Sequence, residues 1–514
     1  MTVTDQYQFD KIRNVSDYFT LPSSTLYRDL YHLKKDAYEP NERIIFTCMD
    51  FLSDELLKTF LRQLQRCVGF LDISHFFVLV ITNRSWVVDY LKEIKHLGLN
   101  SESDPIGSIF QNEVIHGDVV IDPKIMLEPP DTICTQPWIS LDVSNGGHFA
   151  PCCFYSDTIR DTSGRQYHAE TDSFESVYNS PHMQQLREDF RVGLKPAGCV
   201  RCWKEEADGA TSKRQLLKHR FGEYGFSSNW EQDEIDNLKV LSVCFGNICN
   251  LKCRICTPDA SSKIAQEGSF HISLQNGQWI QNNNAQVWQD LIDNNIVYLD
   301  LSGGEPMLNI KHFKILEQLV EQGQARDISI HYNTNGTTFP DKYIDLLKKF
   351  KQIDIALSID DIGARYEYQR KGAVWSEVVD NLNQFFSIKS SNVTIGLHSV
   401  VNIQNVFYLP EICDWVKKQS FDSVHFSTLY IPEYLSIVNL TAEAKELVIN
   451  KLSNYTSGNN TLDQFIEQTI TAIDQSVPAN PTKFVEYMKQ LDLKRNENFS
   501  DEHAEIANAM KYHV

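Results

Sequence analysis

The sequence predicts an α/β protein whose core is an open, partial parallel barrel, and three observations carry that prediction. Short runs of alternating polar and apolar residues recur between 240 and 435, with stretches long enough for helices between them, the pattern of strands joined by crossovers. The polar side of each run holds Ser, His, Asn and Asp, where a closed barrel would be filled with branched apolar side chains. Nine of the twelve cysteines fall between 134 and 256 in short spacings, which without a secretory leader points to metal or cluster ligation rather than disulfides.

Taken in chain order, the first candidate domain is 1–125. RIIFTCMD, DELLKTFLRQLQRC, HFFVLVITN and SWVVDYLKEIKHL, between 43 and 116, read as strand, helix, strand and helix. No GxGxxG or GxxxxGK[ST] accompanies them, so nucleotide binding is unsupported; Cys48 and Cys67 read as core residues. The next segment, 126–225, holds PWISLDVSNGGHFAPCC, two short strands folded through an Asn-Gly-Gly turn. Such a hairpin brings Cys134 and Cys152 together at its open end, with Cys199 and Cys202 following as a CxxC pair. These four thiolates form a ligand set for an iron–sulfur cluster or, alternatively, a structural zinc. Cys153 is expected to face away, because neighbours on a strand alternate sides. The basic run SKRQLLKHR at 212–220 reads as a solvated helix face.

The barrel is assigned to 236–435. In LKVLSVCFGN, Val240, Ser242 and Cys244 share one face; in VYLDLS, Tyr298 and Asp300 lie opposite Val297 and Leu299. DISIHYNTN, QIDIALSID and NVTIGLHSVVN alternate in the same way, and SVHFSTLYIPEYL supplies the last strand. The polar faces are expected to line a lumen with room for substrate, with helices outside. Cys244 would then face the lumen as a thiol able to give a hydrogen atom to a substrate radical; the alternative is a buried core cysteine. His331 and His398 read as hydrogen-bonded lining residues. Residues 436–514 are helical, with breaks at SGNN and VPANP, and are expected to cap the barrel.

The run CFGNICNLKCRICTP at 244–258 carries the chemistry. Cys249, Cys253 and Cys256 can ligate three corners of a cubane 4Fe-4S cluster, and no fourth cysteine follows at once, so one iron is left for an exogenous ligand. This spacing resembles the radical S-adenosylmethionine (radical SAM) superfamily. The resemblance extends in order through Gly303, Gly304, Glu305 and Pro306 (GGEP), Asn333 to Gly336 (NTNG), Ser358 with Asp360 in ALSIDD, Arg370 in YEYQRKG, and Val400 to Asn402. It implies a partial (β/α)6 TIM-like barrel and a SAM pocket. Gly303, Gly304 and Pro306, in a turn that Glu305 would help to fix, would receive the SAM ammonium; Asn333, Asn335 and Ser358 would lie toward the ribose, with Asp360 two residues beyond Ser358; Arg370 would face the carboxylate, and Val400 to Asn402 the adenine. One electron from the cluster would release methionine and a 5′-deoxyadenosyl radical that takes hydrogen from substrate. The cysteine-rich hairpin resembles the half-SPASM or twitch module, which implies an auxiliary iron–sulfur cluster, here N-terminal to the core.

A hydrophobic content of 42 % supports globular cores, and no apolar run approaches the length of a membrane span. The N-terminal residues lack the blocks of a signal peptide, so a cytoplasmic protein is expected. A formal charge of −20 disfavours nucleic acid as substrate. The substrate is expected to be a peptide or protein, with a sugar or other small metabolite as the alternative. A flavodoxin or ferredoxin would serve as reductant. A non-catalytic iron–sulfur carrier is a third possibility, which the intact SAM-pocket motifs oppose.

Overall fold

Strand pairing follows the alternation read from the sequence. The computed structural model describes five strand segments between 11 and 121, then residues 131–191, 193–207, 211–218, 238–268, 278–282, 285–476 and 481–512. The chain divides into two compact units, 1–133 with 185–197, and 134–184 with 198–514.

In the first unit, β1 (Lys11–Asn14), β2 (Arg43–Cys48), β3 (Phe77–Thr82), β4 (Leu97–Asn100) and β5 (Asp118–Ile121) form one sheet in the order β1-β2-β3-β5-β4. The first three are parallel, and β4 and β5 are antiparallel to their neighbours. The two expected strands are β2 and β3. Leu97, which local periodicity assigns to a helix, instead opens β4 and pairs with Ile121; a non-local partner outweighs the local pattern. The rest of both expected helices, Cys67, and the side chain of Cys48 lie outside the described residues.

The second unit is built on an eight-stranded sheet. Its strands are β6 (Ser140–Val143), β7 (Phe149–Ala150), β8 (Val240–Cys244), β10 (Tyr298–Ser302), β11 (Ser329–Thr334), β12 (Gln352–Ser358), β14 (Val393–Val401) and β15 (Ser423–Thr428). The two-residue strands β9 (Lys252–Cys253) and β13 (Arg370–Lys371) pair separately. The sheet order, β15-β14-β12-β11-β10-β8-β6-β7, is open. Six parallel strands from β8 to β15 lie side by side in chain order, as a partial (β/α)6 barrel requires. Helices α1 (Gln286–Asp293), α2 (Ile310–Glu321), α3 (Trp375–Ser387) and α4 (Leu409–Val416) lie in the crossovers.

The hairpin β6–β7 does not stand apart. β6 joins the barrel's first edge, parallel to β8, with Leu141 opposite Leu241 and Val143 opposite Val243. The apolar stripe therefore runs unbroken through Val143, Val243, Leu301, Tyr332, Ile355 and Ile395, none more than 3 % exposed. Burying each such side chain contributes roughly 1.5–3 kcal/mol. The opposite face carries most of the polar residues; on β14 the parity breaks at its end, where Ser399 is buried on the apolar side and Val400 lies on the other.

The C-terminal segment forms α5 (Ala442–Ser453), α6 (Asn460–Gln475) and α7 (Pro481–Arg495), with breaks where SGNN and VPANP predict them. Thr441 and Asn459 cap the first two with their side chains. No helix among the described residues is long and apolar enough to cross a membrane.

Candidate active site

The loop that leaves β8 carries the cysteine triplet, and its shape is set by hydrogen bonds local to it. The Ser262 hydroxyl accepts from the Cys249 N–H and donates to its carbonyl, both at 3.3 Å. The Ser261 hydroxyl donates to the Leu251 carbonyl at 2.6 Å. The Leu251 N–H points at the Cys249 sulfur, 3.4 Å away. Cys253 lies on β9, opposite Arg370 on β13.

The three sulfurs are gathered around one cation. Cys253 and Cys256 share a hydrogen bond that raises the first thiol pKa and lowers the second, with burial adding to the rise. Burial pushes Cys249 up to about 11. The Arg370 guanidinium acts on all three in the opposite sense, favouring thiolate. Its Nη1 stands 4.0 Å from the Cys253 sulfur, while Nη2 pairs with Asp360 at 2.7 Å. One buried and two half-buried thiols, a backbone N–H aimed at sulfur and a buried counter-cation fit an anionic iron–sulfur cluster held by three ligands. Among the described residues no three His, Cys, Asp or Glu side chains are placed to hold a single metal ion. In a cubane each thiolate takes a different iron, so its ligands spread more widely than those of one ion.

The GGEP turn fastens this loop to the sheet. Gly304 has φ +52, and a Cβ there would lie 2.2 Å from the Ile248 carbonyl oxygen; one on Gly303, at φ +90, would lie 2.6 Å from the Phe245 nitrogen. Both glycines are therefore demanded by close approach of the cluster loop. The Glu305 N–H donates to the Ile248 carbonyl at 2.7 Å. Its buried carboxylate accepts from the Thr334 hydroxyl at 2.6 Å, the Asn335 N–H at 2.7 Å and the Met307 N–H at 3.0 Å. Burial raises the pKa of Glu305 and those three donors oppose the rise. Pro306 opens a short 3-10 turn just beyond.

The remaining pocket candidates lie at or just past the strand ends. Asn333 is on β11, half-buried; Asn335 follows it and reaches Asn250 of the cluster loop at 3.1 Å. Ser358 ends β12, opposite His398. Asp360 is buried, with Oδ2 on Arg370 and Oδ1 accepting from the Val400 N–H at 2.9 Å. The Asn402 side chain is engaged within its own turn, donating to the Val400 carbonyl and accepting from Gln404. Asp360 and Asn402 thus hold the pocket's framework together.

Members of the second cysteine group lie near one another in pairs. Cys134 stands close enough to Cys199 and Cys202 to feel their charges, and Cys152 to feel Cys134. Burial pushes Cys134 up to about 12 and raises Cys152 and Cys202. The donor set of four thiols suits a fully ligated cluster. Gly147 turns the hairpin at φ +82, where a Cβ would lie 2.6 Å from the His168 ring. Cys152 and Cys153 lie in the turn after β7 rather than on the strand. Cys153 nevertheless leaves the group: its sulfur accepts from the Lys213 ammonium at 2.9 Å.

That contact corrects the reading of 212–220 as a solvated face. Lys213 points inward to Cys153, and Arg214, 6 % exposed, pairs with Glu206 at 2.8 Å. A short basic helix looks the same in sequence whether its lysine meets only water or the thiol of a distant segment. Cys153 is exposed as a residue, and surrounding protein raises its pKa against the opposing charge of Lys213. Cys244 faces the same region, 3.3 Å from the Ser302 hydroxyl and near Cys153, and burial pushes it up to about 12. The His331 Nδ1 bonds Asp354 at 2.7 Å; burial lowers its pKa, but the Asp354 bond and the charges of Asp300 and Asp354 together raise it. Burial, then His425, holds His398 down at about 4. Lys213, Asp142 and Arg254 carry no motif and were not singled out by sequence.

Comparison with known proteins gives this geometry its context. The model of the radical SAM superfamily matches residues 243–416, and that of an iron–sulfur cluster-binding domain, SPASM, matches 134–203. The chain is 27 % identical over 234 residues to the uncharacterised protein MJ0907 of Methanocaldococcus jannaschii, covering 43 % of this chain and 73 % of that one. It is 23 % identical over 220 residues to the sporulation killing factor maturation protein SkfB of Bacillus subtilis, covering 41 % of this chain and about half, 49 %, of SkfB. Among solved structures it is similar to anSMEcpe with bound AdoMet and Cp18Cys peptide, at 18 % identity and TM-score 0.30, over 42 % of this chain and 58 % of that one.

Proposed function

From a chain that carries a radical SAM domain and an iron–sulfur cluster-binding domain, and is thereby an enzyme using S-adenosylmethionine, a 4Fe-4S cluster and auxiliary iron–sulfur, we propose a peptide- or protein-modifying enzyme that removes a hydrogen atom from its substrate. The observation that carries the radical assignment is the gathering of Cys249, Cys253 and Cys256 on a loop locked to the GGEP turn, with Arg370 buried beside them. The peptide reading draws on the printed name of SkfB, a maturation protein, and on the chain's net charge of −20, which suits a basic partner.

When bound, the cluster and SAM would supply one electron and a carbon radical strong enough to take hydrogen from an unactivated C–H bond. The chain's own residues hold and shield that chemistry. Cys249, Cys253 and Cys256 would hold three irons, and Arg370 would balance thiolate or SAM carboxylate charge. Gly303, Gly304, Glu305 and Pro306 shape the turn that receives the methionine end, and Asn333, Asn335, Ser358 and Val400 lie around the nucleoside end. Cys134, Cys152, Cys199 and Cys202 would hold one auxiliary cluster, a twitch-type arrangement saturated by protein and so suited to carrying electrons. Cys244 is placed on the lumen side, where its thiol could return a hydrogen atom. A small electron-transfer protein of the flavodoxin or ferredoxin kind would act as reductant, and the reducing cytoplasm is the compartment in which such thiols persist.

The test is anaerobic reconstitution followed by dithionite-driven SAM cleavage, wild type beside Cys253→Ala. Formation of 5′-deoxyadenosine by wild type alone, with about eight irons per chain for two cubanes, is the expected result. A wild type that binds its clusters but makes none, with or without candidate peptides, would return the protein to the class of iron–sulfur carriers.

A further inference from the structure

One row of the lumen face carries more negative charge than the protein neutralises. The register places Asp142 opposite Ser242, Ser242 opposite Asp300, Asp300 opposite His331, and His331 opposite Asp354. At about 4.8 Å between strands, the backbones of Asp142 and Asp300 stand roughly 10 Å apart, a span that two carboxylates can close upon a group between them. Each acts electrostatically on the same lysine, Lys213, and Asp300 acts on Asp142.

Their hydrogen bonding is incomplete. Asp142 is 5 % exposed. Its Oδ1 and the Oδ1 of Asp300 are both buried without a hydrogen-bond partner. The ammonium that acts on both among the described residues, that of Lys213, is directed at the Cys153 sulfur, 2.9 Å away, and His331 gives its Nδ1 to Asp354. Two carboxylates therefore share one lysine, leaving about one negative charge over. A buried carboxylate oxygen without a donor is costly. Consistent with this, burial pushes Asp142 up to about 7: without a ligand the row relieves itself by holding a proton.

We propose that Asp142 and Asp300 together receive a cationic nitrogen of the substrate, the ammonium or guanidinium of a basic side chain. The proposal rests on the peptide reading above and narrows it to substrates that carry Lys or Arg at the position presented to this row. The site adjoins the chemistry. Asp300 lies on β10, three residues and roughly 10 Å before Gly303, which follows the strand's end, so a side chain anchored here places neighbouring atoms beneath the turn assigned to SAM. Asp142 comes from the strand between Cys134 and Cys152, so the same anchor lies beside the auxiliary ligands.

The experiment is calorimetric titration of the reconstituted, SAM-loaded enzyme with three blocked amino acids: Nα-acetyl-lysine, Nα-acetyl-arginine and Nα-acetyl-norleucine N-methylamides. Lysine or arginine is expected to bind at least tenfold more tightly than norleucine, and the preference is expected to disappear in Asp142→Asn/Asp300→Asn. Iron content and the visible spectrum establish that the variant is folded; should Asp142→Asn lose iron, Asp300→Asn alone carries the test with a partial loss of preference. Equal affinity for the three probes in wild type, or a preference that survives the double substitution, would overturn the proposal. Wild-type formation of 5′-deoxyadenosine is measured on the same preparation, so a missing cation site is distinguished from a missing radical activity.

Discussion

At the scale of single residues, the site is built from groups whose environment sets their charge and whose backbone tolerates no substitute. Asp142 is the clearest case of the first. Its pKa is raised by burial from 3.8 to about 7, so the folded state binds a proton that the unfolded state has already released. Stability from this group is full below about pH 4, is lost as pH rises toward 7, and stays lost above that, by on the order of a few kcal/mol. Asp142→Asn removes the titration. The urea midpoint of the variant is expected to gain on wild type between pH 5 and pH 8, and parallel pH curves would refute the assignment. Gly304 represents the second case. Gly304→Ala is expected to abolish loading of the SAM-binding cluster, because its Cβ meets backbone at 2.2 Å. Gly323 has a similar left-handed φ of +76 with nothing within 4 Å of a Cβ, so Gly323→Ala bears only conformational strain of about 1 kcal/mol. If the two variants lose iron equally, the loss comes from strain and not from the approach of the loops.

At the scale of elements, two loops from different strands are made into one surface by a single carboxylate. Glu305 accepts from Met307 in its own turn and from Thr334 and Asn335 at the end of the next strand. Glu305→Gln keeps the shape but turns an NH2 toward donors, leaving at least one buried group unpaired at a cost of about 1–3 kcal/mol. SAM affinity, measured by titration of the reconstituted enzyme, is expected to fall at least tenfold while the auxiliary cluster is retained; an unchanged affinity would separate this bridge from the pocket. The strands themselves were legible because a period of two survives in sequence: Ile330 and Tyr332 against Ser329 and His331 declare their faces without knowledge of neighbours. The triplet of cysteines and the GGEP turn were legible because their chemistry is local. The row from Asp142 to Asp354 was not. It exists only because β6 pairs with β8 in one particular register, and nothing near Asp142 in sequence announces a partner strand 100 residues away. Lys213 was misread for a related reason, since its partner Cys153 is 60 positions distant.

At the scale of the whole second unit, the cluster loop is held from its far side by the end of the chain. Arg254, between Cys253 and Cys256, is fully buried and crosses to the end of α7, where Nη2 meets Asp492 on the helix at 2.5 Å and Glu497, just past it, at 2.7 Å. Its guanidinium lies 3.7 Å from the centre of the Tyr368 ring. Asp492 also accepts from the Tyr368 and Tyr512 hydroxyls at 2.7 and 2.6 Å and from the Phe499 N–H at 2.7 Å. The C-terminal helices thus do more than cover the barrel: they supply the acceptor for a charge in the middle of the iron-binding motif, 238 residues away. Removing one partner of a buried ion pair strands the other and costs about 3–5 kcal/mol, whereas replacing both with apolar residues of similar size is far less damaging. Asp492→Leu and Arg254→Met are each expected to lower cluster loading and the unfolding midpoint. Arg254→Met/Asp492→Leu is expected to recover part of both, with a coupling energy above about 1 kcal/mol in the double-mutant cycle. If instead the two losses simply add, the pair is not what joins the C-terminal helices to the cluster loop, and cation–π contact with Tyr368 becomes the stronger candidate.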